Sequence, residues 1–290
     1  MKDSGVEWIG EIPSDWMVQK IKTNFTIIAG ATPKAEKQEY WDGDILWITP
    51  ADYKTVDKYV AGGRRNISEM GYQSCGTTLV PANSVIFSKR APIGSVAINT
   101  NPLCTNQGCL SCVNKGNGDS RFFYYAMSIF TDEFELMGSG TTFKEISANN
   151  FSNFQLACPH LTVQQRIADF LDAECSEIDS VLEKTRDSIE EYKKLKHATI
   201  AQAITKGIRF NRVMKDSGSV WFGDVPTEWN MSKLKYLFHI KKDIAGEEGH
   251  TILSITQRGI VPKDISKNEG QLAESYSKYQ LVEPGDFAMN

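Results

Sequence analysis

Residues 162–206 contain neither proline nor glycine. Apolar side chains recur through them at Val163, Ile167, Phe170, Leu171, Ile178, Val181, Leu182, Ile189, Tyr192, Leu195, Ile200 and Ile204. Steps of three, four and seven predict one long amphipathic helix, or a helix with a single break. Pro159 closes the preceding segment, Thr162 and Gln165 have the spacing of a capping box, and Gly207 supplies the stop. At about 1.5 Å per residue the helix would reach roughly 65 Å, so it acts as a spacer or a docking rod. Asp169, Asp172, Glu174, Glu177 and Asp179 load its first half and Lys193, Lys194 and Lys196 its second, an order that complements the helix dipole. One apolar stripe on so long a rod calls for an antiparallel partner helix from this chain or another. The competing arrangement is a helix packed along its own domain.

The 290 residues are enough for two domains and the rod. No apolar run approaches a membrane span, and Met1 leads into polar residues without a secretory signal, so a cytoplasmic protein with no membrane partner is expected. Cys75, Cys104, Cys109, Cys112, Cys158 and Cys175 then read as reduced thiols. The pair Cys109 and Cys112 has zinc-ligand spacing, but it has no second pair and no nearby histidine. The net charge of −4 is spread along the chain, so nucleic acid would have to be bound by a local patch or with a more basic partner.

A duplication sets the organisation. Residues 1–25, MKDSGVEWIGEIPSDWMVQKIKTNF, align with residues 214–238, MKDSGSVWFGDVPTEWNMSKLKYLF, with 12 of 25 pairs identical. Trp8/Trp221, Gly10/Gly223, Pro13/Pro226, Trp16/Trp229 and Phe25/Phe238 are among them. The parallel continues more faintly, residues 45–49 against 252–256 and 79–83 against 281–285. The expected fold class is α+β: a globular mixed α/β module at 1–159, a helical region at 160–213 and a partial second copy at 214–290. Within the first module, strands are predicted at 44–48, 84–88, 95–98 and 151–156, and a helix at 121–134.

Catalytic motifs are absent: there is no GxxxxGK[ST], GxGxxG after a strand, HExxH or GxSxG. Asp42 and Asp44 near Lys54 are the nearest approach to a nuclease cluster and read as turn and strand-edge residues. His160, His197, His239 and His250 are scattered. The first module instead carries polar and basic loops: Arg64 and Arg65 after a glycine pair, Lys89 and Arg90 after a strand, Asn106 and Gln107 before a glycine, and Thr141, Thr142 and Lys144 after a glycine turn. Arg, Lys, Asn and Gln read base edges, while Lys, Ser and Thr position phosphates. Each loop alone also reads as a solvated surface.

Six stretches together resemble the DNA-specificity (S) subunit of type I restriction-modification systems. They are Trp8 to Trp16, Ile67 to Gly71, Leu79 through Gly94 with its FSKRAPIG segment, Asn106 to Gly108, Ser139 to Ile146 and Leu161 to Asp172. The resemblance implies a target-recognition domain, a long helix, a second such domain and a second helix, the helices paired antiparallel. Each domain reads half of a split double-stranded DNA site and the helices set the gap. It also implies that the chain is not an enzyme and binds no cofactor. Methyltransferase (M) subunits would use S-adenosylmethionine, and restriction (R) subunits would supply ATP- and Mg-dependent translocation and cleavage. The chain departs from the pattern in stopping within the second domain. That leaves either a truncated subunit or a helix pairing with a second copy, giving a homodimer that reads a symmetric split site.

The DNA-contacting candidates are therefore Arg64, Arg65, Lys89, Arg90, Asn106, Gln107, Thr141, Thr142 and Lys144. Ile167, Leu171, Ile178, Val181, Leu182, Ile189, Tyr192 and Leu195 would pack the helix against its partner and the M subunits. Two other classes stay open: a helical scaffold or decoy that binds M subunits without reading DNA, and an enzyme acting on DNA by itself.

Overall fold

A computed structural model describes residues 1–53, 58–90, 92–140, 144–256, 259–263 and 275–289. Residue contacts divide the chain into two compact units, Met1–Ser188 and Ile189–Asn290.

In chain order the first unit contains β1 (Lys2–Asp3), β2 (Glu11–Ile12), β3 (Met17–Lys20), α1 (Ile21–Asn24), β4 (Phe25–Ala29), β5 (Trp41–Ile45), β6 (Trp47–Ile48), α2 (Pro50–Tyr53) and β7 (Tyr59–Val60). It continues with α3 (Glu69–Gln73), β8 (Val85–Ser88), β9 (Val96–Asn99), β10 (Cys104–Thr105), β11 (Cys109–Asn114), α4 (Ser120–Ser128), α5 (Thr131–Met137), α6 (Ala148–Asn153), β12 (Gln155–Cys158) and the start of α7 (Leu161–Lys206). The central sheet has the order β4-β11-β8-β9-β7, antiparallel except where β7 meets β9.

The period-2 alternation of strands explains why both faces of this sheet are apolar. Val85, Phe87, Ile98, Leu110 and Cys112 enter one core with Phe122, Phe123, Phe134, Phe151 and Phe154 of the helical layer. Ile86, Ala97 and Cys109 point the other way, into a core with Ile48, Tyr53, Val80 and Leu103. Cys109 and Cys112 thus lie on opposite faces of β11 and cannot share a metal. All six cysteines are free thiols, and burial pushes that of Cys109 up to about 12.

Several predicted elements differ in detail. The helix expected at 121–134 is two, because Phe130 leaves the helical path with φ −109° and ψ 30°, and α4 is capped by Asp119, whose carboxylate accepts from the amides of Arg121 and Phe122. The strand expected at 151–156 is the end of α6 followed by β12: Ser147 caps α6 by accepting from the Asn150 amide, and Phe151 faces the core at 4.3 Å from the Phe87 ring. Residues 44–48 form two short strands interrupted at Leu46.

Helix α7 runs 46 residues without a break. It starts at Leu161, and the residue tying down its first turn is Gln164 rather than the expected Thr162 and Gln165 pair. Gln164 is buried, accepting from the Asp119 amide at 3.0 Å and donating to the Pro159 carbonyl at 2.9 Å. Ile167 and Ala168 join the helical core, but from Ile178 onward the apolar stripe is exposed.

The second unit holds the remainder of α7, then β13 (Met214–Asp216), β14 (Asp224–Pro226), α8 (Leu234–Leu237), β15 (Leu253–Thr256) and β16 (Gly259–Pro262). The duplication is structural. Lys2 pairs with Ile12 and Asp3 with Glu11 in the first hairpin, Lys215 with Val225 and Asp216 with Asp224 in the second. In each turn an aspartate carboxylate accepts from a glycine amide two residues on, Asp3 from Gly5 and Asp216 from Gly218, both at 2.9 Å. Helices α1 and α8 also occupy equivalent positions. What differs is the covering. Trp8 stacks on Phe154 at 5.1 Å and donates to the Gln155 carbonyl, while Trp221 is 93% exposed. The fainter parallel at 45–49 and 252–256 does not extend to pairing: β6 lies parallel to β10, whereas β15 forms a hairpin with β16.

Candidate nucleic-acid interface

Loops from four parts of the sequence meet at one end of the central sheet. Strand β4 ends and β11 begins there, since Ala29 pairs with Leu110, and β8 ends there, since Ser88 pairs with Cys109. The loops after β4 and β8 and before β11 therefore emerge side by side. Backbone hydrogen bonds join them: Lys89 N to Gly108 O at 2.9 Å and Ala31 N to Thr105 O at 2.9 Å. The turn after residue 138 closes onto them through Ile146 N to Lys89 O at 3.0 Å and a bridge between Arg90 and Glu145. Gly30 is required at this crossing, because a Cβ there would sit 2.2 Å from the Thr105 carbonyl oxygen. Helix α7 attaches at the other end, where Ser120 bonds to Asn83 before β8 and Asp119 to Gln164.

Lys89 and Arg90 share one counter-ion. Glu145 receives Lys89 Nζ on Oε1 and Arg90 Nε on Oε2, each at 2.7 Å. Lys89, joined by Arg90, holds the Glu145 carboxyl below the usual carboxylate range. The Lys89 side chain is 14% exposed and the Arg90 side chain 44%, so Arg90 is the more available to a ligand.

Arg64 and Arg65 lie in a second cluster, linked to the first where Asn106 N bonds to Ile48 O at 3.0 Å. Arg64 pairs with Asp52 at 2.9 Å and stays 77% exposed. Asp52 itself closes the turn before α2, accepting from both the amide and the hydroxyl of Thr49. Burial would raise the Asp52 carboxyl, but the Thr49 and Arg64 bonds outweigh it and hold it low. Arg65 grips Asp42 with two nitrogens, at 3.1 and 3.2 Å, with its guanidinium 4.4 Å from the Trp41 ring centre.

The remaining candidates divide. Asn106 shapes the turn, its Oδ1 accepting from the Gly108 amide at 2.9 Å. Gln107 is exposed and bonds to the Thr32 hydroxyl. Lys144 is exposed and makes no ion pair among the described residues. Thr141 and Thr142 lie outside the described residues.

The loop of residues 30–37 escaped sequence reasoning. Trp47 donates its indole N–H to the Ala31 carbonyl at 3.1 Å, and Trp41 donates to that of Lys34 at 3.2 Å. The two indoles pack edge to face at 5.2 Å. They fix the loop at Ala31 and Lys34, between which Thr32 bonds to Gln107; the only sequence signal was Gly30 followed by Thr32-Pro33-Lys34.

Among the described residues no group of His, Cys, Asp and Glu is arranged to hold a metal ion, and no helix is long and apolar enough to cross a membrane. The proposed helix-pairing residues also divide. Ile167 packs into the core and Leu171 is half-buried, whereas Ile178, Val181, Leu182, Ile189, Tyr192 and Leu195 are all exposed.

Residues 13–191 match the family described as the type I restriction modification DNA specificity domain. The chain belongs to that specificity family. Relatives include the specificity subunit of the type I restriction enzyme MjaIX from Methanocaldococcus jannaschii, 35% identical over 190 residues, which make up 64% of this chain and 43% of that one. Another is the specificity subunit of EcoprrI from Escherichia coli, 30% identical over 164 residues, 51% of this chain and 39% of that one. The specificity chain described here thus spans less than half of either relative. Among solved structures, one described as showing complex assembly and conformational transition of the type I R-M system superposes with a TM-score of 0.59 at 19% identity, covering 69% of this chain and 48% of that one. The HsdS subunit of Thermoanaerobacter tengcongensis gives 0.52 at 19% identity, covering 69% and 47%. At this identity the two structures share the fold of the specificity module.

Proposed function

We propose that this chain is a non-catalytic, sequence-specific DNA-binding subunit of a type I restriction-modification complex. The supporting observation is the convergence, in a module matching the specificity family, of the 30–32, 89–90, 106–107 and 144–145 segments at the sheet end away from α7, with Arg64 and Arg65 in an adjoining cluster. Residues 1–159 would read one half of a split duplex site, 160–213 would form the spacer, and 214–290 would be part of a second reader. M subunits would dock on the spacer and methylate adenine with S-adenosylmethionine. R subunits would act with ATP and Mg; none of these groups is assigned to this chain. The exposed stripe from Ile178 to Leu195 supports pairing of α7 with a second helix, in a homodimer of this chain or within a longer subunit.

The test is selection from a random duplex pool by the chain assembled with its M subunit, followed by binding of the selected sequence by Lys89→Ala/Arg90→Ala. Loss of affinity with retained M-subunit binding supports the reading. Modification that persists unchanged in this variant favours a scaffold that binds M subunits without reading DNA through this face.

A further inference from the structure

Four cations of the candidate interface face carboxylates of the same module: Lys89 and Arg90 face Glu145, Arg64 faces Asp52 and Arg65 faces Asp42. A surface built for phosphate affinity alone would leave such cations free, because non-specific binding to DNA is driven by releasing counter-ions from phosphates. Here a phosphate must displace a counter-ion that the protein itself supplies. The Glu145 backbone is pinned beside the two cations, exchanging two 3.0 Å hydrogen bonds with Ser139 while the next amide bonds to the Lys89 carbonyl, so its carboxylate stays within reach of both.

We propose that Glu145 is a specificity-determining residue, an internal counter-ion that competes with DNA phosphates for Lys89 and Arg90 and so suppresses non-specific binding. This rests on the DNA-reading function proposed above. On a non-cognate duplex, phosphates approaching Lys89 and Arg90 meet the Glu145 carboxylate as well, and the repulsion offsets part of the attraction. On the cognate site, a donor on a base edge, such as the exocyclic amine of cytosine, satisfies the carboxylate directly. The complex that places such a donor keeps all three side chains paired, and the one that offers only phosphates does not. Asp42 acts on Arg65 in the same way. The acidic net charge of −4 is consistent with a protein that limits its general attraction to DNA.

The test is fluorescence anisotropy of the full chain on a labelled random-sequence duplex across a salt series. Glu145→Gln should bind more tightly than wild type, and its plot of log affinity against log salt should steepen by about 1.8, two freed phosphate contacts at roughly 0.9 each. Glu145→Asp, which keeps the charge, should retain the wild-type slope, and adding Lys89→Ala/Arg90→Ala to Glu145→Gln should remove the gain. Asp42→Asn is an independent variant: it should steepen the slope by about 0.9, and its φ of 60° suits asparagine, so it carries the test if circular dichroism shows Glu145→Gln misfolded. If Lys89→Ala/Arg90→Ala weakens binding while Glu145→Gln and Asp42→Asn match wild type, the counter-ion role is wrong and the DNA face stands. If all variants bind as wild type does, the DNA face is wrong, and the counter-ion role with it.

Discussion

The Tyr125 hydroxyl donates a 2.7 Å hydrogen bond to Asp172 Oδ1, joining α4 to the long helix across 47 positions of sequence. Lys58 pairs with the same carboxylate, and Arg121 bridges Asp172 and Asp169 at 3.1 and 2.7 Å. Three donors from the globular module thus converge on one side chain of α7.

This convergence predicts that Asp172→Asn destabilises the first unit by about 1–3 kcal/mol, because it removes the charge facing two partly buried cations. The effect should also depend on pH. Burial alone would raise the Asp172 carboxyl, but Lys58, Tyr125 and Arg121 hold it below its ordinary value. A depressed native value stabilises the fold above the unfolded-state value near 4 and ceases to do so as pH falls through the native one. Melting curves should therefore separate wild type from Asp172→Asn at neutral pH and converge in acid.

The Phe134 ring lies 4.8 Å from that of Phe87 and 4.2 Å from that of Phe154, fully buried between sheet and helices. Phe134→Ala should cost about 3–5 kcal/mol, read as a lower denaturant midpoint with an unchanged slope.

Gly30→Ala would drive a methyl group into the Thr105 carbonyl, a backbone atom that cannot move away easily. The expected cost is about 1–3 kcal/mol. Because the strain falls where the 30–37 loop crosses the strand before Asn106, DNA affinity should fall further than stability does, comparing anisotropy titrations with thermal melts.

Ile178→Glu with Leu182→Glu changes only exposed positions of the first unit, 57% and 47% accessible. The melting midpoint of the chain should stay within the small range typical of surface changes. If the stripe pairs with a partner helix, light scattering should show loss of the dimer or of the complex with the M subunit. A complex of unchanged mass would place the partner's contact elsewhere.

Residues 162–206 and the duplication were legible because their signals are local, and the structure makes the start of each copy a hairpin. Helical periodicity and the absence of breakers are written in consecutive residues, and the hairpin turns depend on an aspartate two residues before a glycine. The strand expected at 84–88 likewise forms as β8, whereas β11 at Cys109–Asn114 and the burial of the sheet on both faces emerged only in the fold. The sequence by itself determined the long helix, the duplication, the strand at 84–88 and, through its motifs, the family. Only the tertiary structure decided that Asp172 clamps the helix rather than merely complementing its dipole. It also decided that Glu145 neutralises the two cations read as free DNA contacts, and that Cys109 and Cys112 part to opposite faces. Lys58 and Asp172 are 114 residues apart and Arg90 and Glu145 are 55 apart. Such partners are chosen by strand register and loop closure, which bring distant segments together; side-chain chemistry read along the chain carries no record of which carboxylate will meet which cation.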